Sequence, residues 1–263
     1  MQMSKNNRCF WSSNIHFIVI SLFQISTNST IKYLTQPHNE ISVNLMFHVD
    51  KALTRKLSKD YKTRSRGKLK AIVQNVLNDA KKLFDVKKFN RSIKFNLLDT
   101  KFLRNNQMFA MDENASTYLK NYCDFQSKRK VAMKRLYLSV LLTGLDIFHV
   151  NNGKTVRANS GRGYTRGMCS VRKSCALLEW EPKTIGFLLA HEIGHSLGMS
   201  HDGPPYNLCR DQRHIMAVRY HPNHHPISWS SCSIQSLKQF LMSGKSWCIR
   251  QEKRRINFKT VRQ

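Results

Sequence analysis

The chain carries a histidine-rich motif, His191-Glu192-Ile193-Gly194-His195-Ser196-Leu197-Gly198-Met199-Ser200-His201-Asp202. Two histidines four positions apart face the same side of a helix and can bind one metal ion together. Gly198 lacks a Cβ, so the chain can turn sharply there and bring His201 to the same ion. Three imidazoles leave one position of a tetrahedral zinc ion open, which is typical of catalytic sites. The spacing predicts a catalytic zinc site, and the alternative is a histidine-rich surface helix without metal.

Glu192 follows the first histidine and can lean toward a water molecule at the metal. Zinc held by three neutral imidazoles lowers the pKa of a bound water toward about 7 and polarises a carbonyl. A carboxylate beside that water can take its proton and pass it to a leaving amine. The motif therefore predicts hydrolysis of peptide bonds by a zinc-activated water, with Glu192 as the catalytic residue.

The pattern HExxHxxGxxHD resembles that of the metzincin zinc peptidases, and Asp202 after the third histidine resembles the adamalysin or reprolysin branch. Four further segments resemble ADAMTS catalytic domains, namely residues 141–147, 167–170, 172–176 and 229–233. The resemblance is dense from Val140 onward and thin before it. It implies a zinc endopeptidase that is secreted and acts on extracellular or matrix proteins.

The resemblance also implies roles for residues outside the motif. Met216, in the sequence His214-Ile215-Met216-Ala217, corresponds to the Met-turn, which forms a floor under the metal without binding it. A short segment at 164–168 is expected to be an edge strand beside the cleft, where an extended substrate would pair. The residues expected to line the substrate pocket are Tyr164, Val218, Arg219 and Tyr220.

All of the seven cysteines except Cys9 lie in the region of the resemblance. An even number of cysteines in a folded region favours an oxidising compartment. The resemblance implies the disulfides Cys123–Cys175, Cys169–Cys248 and Cys209–Cys232. A fourth disulfide of ADAMTS domains has no counterpart, since Phe148 stands at its first position. Asn-x-Ser/Thr sequons at Asn28, Asn90 and Asn114 agree with an extracellular location.

The length of 263 residues suits one domain of about 200 residues with tails. Residues 1–35 have the outline of a signal peptide, because Lys5 and Arg8 precede a short apolar run at 17–23. That run is too short to span a bilayer, and the alternative is an isolated apolar strand. We expect the peptidase domain over residues 43–250 and a basic tail over 251–263.

The charge balance is strongly basic, with 44 Lys and Arg against 16 Asp and Glu and a net charge of +28. This excess favours a surface that attracts polyanions over an ordinary lysine-rich surface. The candidate polyanions are nucleic acid, an anionic membrane and a sulfated glycan such as heparan sulfate, and no signature of a nucleic-acid-binding fold is visible. The alternative function is therefore a glycan-binding protein on a protease fold, but a binding module has no need of Glu192.

Hydrophobic periodicity predicts alternating strands and helices, with strands at 43–49, 93–97 and 138–147. An amphipathic helix is expected from Leu69 to Phe84, and another is expected to open at Asp112-Glu113. The motif helix should begin after Thr184, and a last helix should be capped by Ser231 or Ser233. These elements predict an α/β (α+β) fold: a mixed, mostly parallel sheet flanked by helices, with a small irregular C-terminal subdomain closed by disulfides.

Calcium is the point at which the sequence departs from the resembling families. Adamalysin and ADAMTS domains hold calcium opposite the zinc cleft, with acidic ligands at positions that match Asn44, Asp146 and Gln251. Calcium affinity falls as the number of charged oxygen ligands falls. One carboxylate in place of three predicts a weak calcium site or none.

Overall fold

The computed structural model describes residues 40–86, 89, 92–104, 108–151, 153–157, 161–209, 213–218 and 226–250. Its strands are β1 (Glu40–Val49), β2 (Ser92–Phe102), β3 (Leu138–Thr143), β4 (His149–Asn151), β5 (Lys154–Val156), β6 (Gly161–Gly163) and β7 (Cys175–Glu179). Its α-helices are α1 (Lys51–Asp60), α2 (Arg66–Phe84), α3 (Ala115–Met133), α4 (Ile185–Ser196) and α5 (Ser231–Met242). The predicted leader and basic tail lie outside the described residues.

A five-stranded sheet in the order β2-β1-β3-β7-β6 forms the centre of the fold. The first four strands are parallel, and β6 runs antiparallel to β7 at the edge. Every residue of the central strand β3 is buried, as expected for a parallel sheet covered on both faces. The predicted mixed, mostly parallel sheet with flanking helices is confirmed.

Two hydrophobic clusters cover the sheet because successive side chains of a strand point to opposite faces. On β3, Val140 and Leu142 belong to the larger cluster, whereas Leu141 belongs to the smaller one. The larger cluster includes the apolar faces of α2 and α4, and the smaller one includes that of α3. Helix α4 therefore lies against the sheet with a defined orientation, which fixes the direction of its histidines.

Polar side chains begin most of the helices. Asp50 accepts a hydrogen bond from the backbone N–H of Leu53 at 2.7 Å and starts α1. Ser230 Oγ accepts from Ser233 N at 3.0 Å and caps α5. The predicted cap at Ser231 or Ser233 was therefore wrong, since the cap is the residue before Ser231. Thr184 precedes α4 as predicted, although its side chain makes no capping hydrogen bond.

Three boundaries differ from the predictions. Strand β3 ends at Thr143 rather than at 147, because the backbone turns at Gly144, whose N–H reaches Asp50 Oδ1 at 3.3 Å. Strands β5 and β6 were not among the predicted strands. The predicted edge strand at 164–168 is a turn, in which Gly167 N donates to Tyr164 O at 3.1 Å. The edge strand is β6, and its sequence Gly-Arg-Gly lacks the alternation of apolar and polar residues by which strands are predicted.

Disulfides tie the elements together and close the irregular C-terminal region. The structure contains Cys123–Cys175, Cys169–Cys248 and Cys209–Cys232, the pairs that the resemblance implies. The first joins α3 to β7, and the other two hold the segments around α5. All described elements lie in one compact unit. None of the described helices is both long enough and apolar enough to cross a membrane.

Candidate metal centre

Three histidines converge at the end of α4. His191 and His195 lie on one face of that helix, and both are buried. Gly198 follows the helix with φ +96°, a left-handed conformation that glycine adopts without steric cost, and the chain turns back there. This turn brings His201 Nε2 to 3.2 Å from His191 Nε2 and 3.1 Å from His195 Nε2.

Backbone carbonyls fix the tautomers of two of these histidines. His191 Nδ1 lies 2.7 Å from Ile215 O, and His195 Nδ1 lies 2.8 Å from Met199 O. A carbonyl can only accept, so each Nδ1 carries the proton and each Nε2 keeps a free lone pair. Burial lowers the pKa of His191 to about 4, and it also lowers the pKa values of His195 and His201. All three imidazoles are therefore neutral ligands at pH 7.

The arrangement of nitrogens fits a zinc ion. Lone pairs that face each other at 3.1–3.2 Å repel unless a cation lies between them. Tetrahedral zinc with Zn–N distances of 2.0–2.1 Å holds its nitrogens about 3.3 Å apart, close to the observed spacing. His191, His195 and His201 are the one group among the described residues with the spacing of a metal site. Zinc is accordingly the cofactor that these residues would hold.

Glu192 lies beneath the edge strand. Its side chain is only 3% exposed, and burial raises the pKa of its carboxyl to about 8, against the opposing effect of the Arg162 charge. A Cβ added at Gly161 would lie 2.7 Å from Glu192 Oε1, and one added at Gly163 would lie 2.7 Å from Oε2. The two glycines therefore allow the backbone of β6 to lie directly against the carboxylate.

The segment around Met216 supports the centre from below. Met216 is fully buried, and a Cβ added at Gly194 of α4 would lie 2.8 Å from its Sδ. Its carbonyl accepts from Asp202 N at 2.9 Å, while the preceding carbonyl orients His191. Asp202 in turn accepts from Ser230 Oγ at 2.6 Å. The segment thus connects two parts of the histidine motif to the start of α5.

The predicted pocket residues fall in different places. Val218 is 56% exposed and lies two residues after Met216, and its place in a pocket wall stays a prediction. Tyr164 lies after β6, not in an edge strand, and it packs against the cluster on α3. Arg219 and Tyr220 lie outside the described residues.

Sequence reasoning missed two residues beside the centre. Arg162 is exposed between the two glycines of β6, and the pattern Gly-Arg-Gly was the available signal. Tyr206 is 55% exposed, and its ring stands edge-on to that of His201 with centroids 5.4 Å apart. No pattern in the sequence marks Tyr206, because its place depends on the turn after Gly203.

The predicted calcium positions are engaged in other contacts. Asn44 Oδ1 accepts from Asn96 Nδ2 at 3.2 Å. The carboxylate of Asp146 lies 3.4 Å from the guanidinium of Arg157, which also binds Glu113 at 2.6 Å. Gln251 lies outside the described residues, so the weak or missing calcium site stays a prediction.

Comparison with known proteins agrees with this geometry. The profile described as "Reprolysin (M12B) family zinc metalloprotease" matches residues 43–252. The chain is 36% identical over 141 residues to "A disintegrin and metalloproteinase with thrombospondin motifs 18" of Mus musculus, covering 53% of this chain and 11% of that protein. It is 28% identical over 216 residues to the motifs 16 protein of Homo sapiens, covering 81% of this chain and 17% of that protein. The chain therefore spans a small part of the length of these relatives.

Proposed function

The chain belongs to the reprolysin (M12B) family of zinc metalloproteases, and from that premise we propose that it is a secreted endopeptidase of extracellular or matrix proteins. One observation carries the proposal: the metal-binding nitrogens of three neutral imidazoles lie within 4.8 Å of one another beside a buried glutamate. The three disulfides support secretion, since such bonds persist in oxidising compartments. Both relatives are named as metalloproteinases, which supports proteolysis.

Each residue of the centre has a role in the proposed reaction. Zinc, when bound by the three histidines, supplies Lewis-acid chemistry that polarises a peptide carbonyl. Glu192 would take a proton from the attacking water and then protonate the leaving amine. A zinc ion bound nearby would favour the carboxylate form of Glu192. It would therefore lower the pKa that burial raises. Burial under β6 keeps bulk water away from this proton transfer.

Replacement of the base tests the proposal. We expect Glu192→Ala to retain one zinc per chain and to lose at least about 10²-fold in kcat/KM on a library of internally quenched peptides. Asp124→Ala removes an exposed acid on α3 and serves as the matched control with unchanged activity. A zinc-loaded wild-type protein that cleaves no member of the library would overturn the enzymatic proposal.

A second candidate function is binding of sulfated glycans such as heparan sulfate. Between Asp146 and Glu179 the sequence contains no acidic residue and six Lys or Arg residues. This segment includes β6 and the turn beside the metal centre, so the glycan surface would adjoin the cleft. The two functions are compatible, because a glycan bound there would concentrate the protein at the matrix.

A further inference from the structure

Strand β6 leaves one edge available for pairing. It pairs with β7 through Gly161↔Leu178, Arg162↔Leu177 and Gly163↔Ala176. Among the described residues, no strand pairs with its other side. A free strand edge offers a row of backbone N–H and C=O groups to an extended peptide. Because β6 lies directly on Glu192, a peptide paired there would have its backbone next to the reacting groups.

The side chains of β6 alternate between two faces. Gly161 and Gly163 both face Glu192, as the short distances from an added Cβ show. Since successive residues of a strand point to opposite faces, the side chain of Arg162 points away from Glu192 and toward solvent. The other two residues of β6 are glycines, so Arg162 is the only residue of this strand with a side chain that can contact a ligand beside the cleft.

The guanidinium of Arg162 has no fixed partner in the described part of the chain. The described residues provide it with neither a hydrogen bond nor a salt bridge, although its charge lowers the pKa of Glu192. The surrounding segment has no acidic residue between Asp146 and Glu179. The guanidinium is exposed on the face of β6 opposite Glu192, so it can attract an anion that arrives from outside.

The geometry of strand pairing sets what Arg162 would meet. In an antiparallel pair, residues directly opposite each other project to the same face with Cβ atoms about 4.5–5.5 Å apart. An aspartate or glutamate opposite Arg162 can reach the guanidinium, whereas a lysine or arginine there would be repelled. A neutral side chain would neither gain nor lose from the charge.

We propose that Arg162 is a specificity-determining residue that selects peptides with an acidic side chain at the position opposite it in the cleft. The inference rests on the proposed peptidase function and names the chemistry of its substrates. Arg162 does not touch the reacting atoms, so its contribution is to the binding of one side chain. The attraction is between charges near solvent and weakens as salt rises.

The experiment compares peptide pairs that differ at one position. Internally quenched peptides carry Glu, Gln or Lys at each position in turn around the cleavage site, and kcat/KM is measured for wild type, Arg162→Met and Arg162→Glu. We expect wild type to prefer Glu over Gln by about three- to tenfold at one position. Arg162→Met should remove that preference, and Arg162→Glu should shift it to lysine. Arg172→Met, which removes an equal exposed charge from the following turn, should leave it intact.

A binding measurement separates this inference from the proposed activity. Fluorescence anisotropy gives the Kd of the same labelled peptides for zinc-loaded Glu192→Ala, with and without Arg162→Met. If no peptide is cleaved but the Glu peptide binds more tightly in an Arg162-dependent way, the peptidase function fails and the inference stands. If peptides are cleaved with no acidic preference, or Arg162→Met leaves the preference unchanged, the inference fails and the function stands. A change in heparin retention without a change in peptide preference would assign Arg162 to glycan binding and overturn the inference.

Discussion

At the scale of single residues, the metal centre depends on the absence of side chains as much as on their presence. Glu192 can lie under β6 only because Gly161 and Gly163 leave room for its two carboxylate oxygens. The carboxylate is the flexible end of a side chain, so an added methyl group displaces it more easily than it displaces the backbone. Its position is therefore sensitive to changes on a neighbouring strand that carries no reacting group.

We predict that Gly161→Ala lowers kcat/KM by about 10²-fold, because the new methyl group pushes Glu192 out of place. The stability cost should be small, about 1–2 kcal/mol, since the other close atom belongs to the side chain of Leu178. Peptide cleavage and urea unfolding measure the two effects. Gly244→Ala, where an added Cβ meets nothing within 4 Å, is the control. Full activity of Gly161→Ala would show that the contact is not critical.

Lys130 is a fully buried residue of α3 that has no role in the metal centre. Its Nζ donates to Ser174 O at 2.6 Å and to Ser174 Oγ at 2.7 Å, and burial lowers its pKa to about 7. An unfolded lysine keeps its proton up to the ordinary value of 10.5. Between these two values the unfolded chain binds more protons, so stability rises with pH and falls as pH decreases toward 7.

For Lys130 we predict a slope of up to about 1.4 kcal/mol per pH unit in the free energy of unfolding between pH 7 and 9. Lys130→Met should remove most of that slope, because methionine fills the same space without a titrating group. Urea unfolding at several pH values gives the slope for both proteins. Lys120→Met, an exposed lysine on the same helix, should leave it unchanged. An equal slope in wild type and Lys130→Met would contradict the assignment.

At the scale of elements, periodicity and spacing predicted what is local in sequence. The apolar repeat at 69–84 lies in α2, and the spacing of His191 and His195 follows from the helix that contains both. The carbonyls of Ile215 and Met199 could not be foreseen, because they meet the histidines only after the chain has folded. Strand β6 was missed for a similar reason: three residues with two glycines become a strand by pairing with β7.

The loop that carries His201 is held by its own contacts. Asn207 Oδ1 accepts from Gly203 N and Cys209 N, both at 3.0 Å, and Asn207 Nδ2 donates to His201 O at 2.8 Å. The disulfide Cys209–Cys232 joins this loop to α5. The position of the third zinc ligand therefore depends on a covalent bond that does not involve the sheet.

Removal of that disulfide tests the dependence. We predict that Cys209→Ala/Cys232→Ala weakens zinc affinity about 10–100-fold, as loss of a supporting contact around a metal ligand does. Removal of Cys123–Cys175 should instead cost about 2–4 kcal/mol of stability with little change in zinc affinity, since it ties α3 to β7. Competition with a chelator measures affinity, and urea unfolding measures stability. Equal zinc affinities of the two double variants would argue against a special role of the loop.

At the scale of the whole molecule, charge is the dominant property. The net charge of +28 attracts large anionic partners and repels large cationic ones. Such attraction acts over the Debye length, which is about 8 Å at physiological salt. A surface of this kind responds to salt more strongly than a surface that binds through apolar contacts.

We predict retention on heparin, with most of the protein eluting between physiological salt and about 0.5 M NaCl. Neutralising the acid-free segment with Lys154→Gln, Arg172→Gln and Lys173→Gln should shift elution to lower salt. The matched variant changes Arg55, Lys56 and Lys59 of α1 to Gln, and it should shift elution less. Equal shifts would mean that the charge is diffuse and that no particular segment binds the glycan.

Backbone contacts between β1 and residues 249–250 bear on the order in which the domain assembles during synthesis. Ser42 N donates to Ile249 O at 3.0 Å, and Ile41 bridges to Arg250. Among the described strands, β1 is synthesised first, and its contacts are complete only after residues 249 and 250 have been made. Parallel pairing of distant strands is slow to form for the same reason. A nascent chain that stops short of Arg250 lacks these contacts, so the domain is not fully assembled until translation has passed that point.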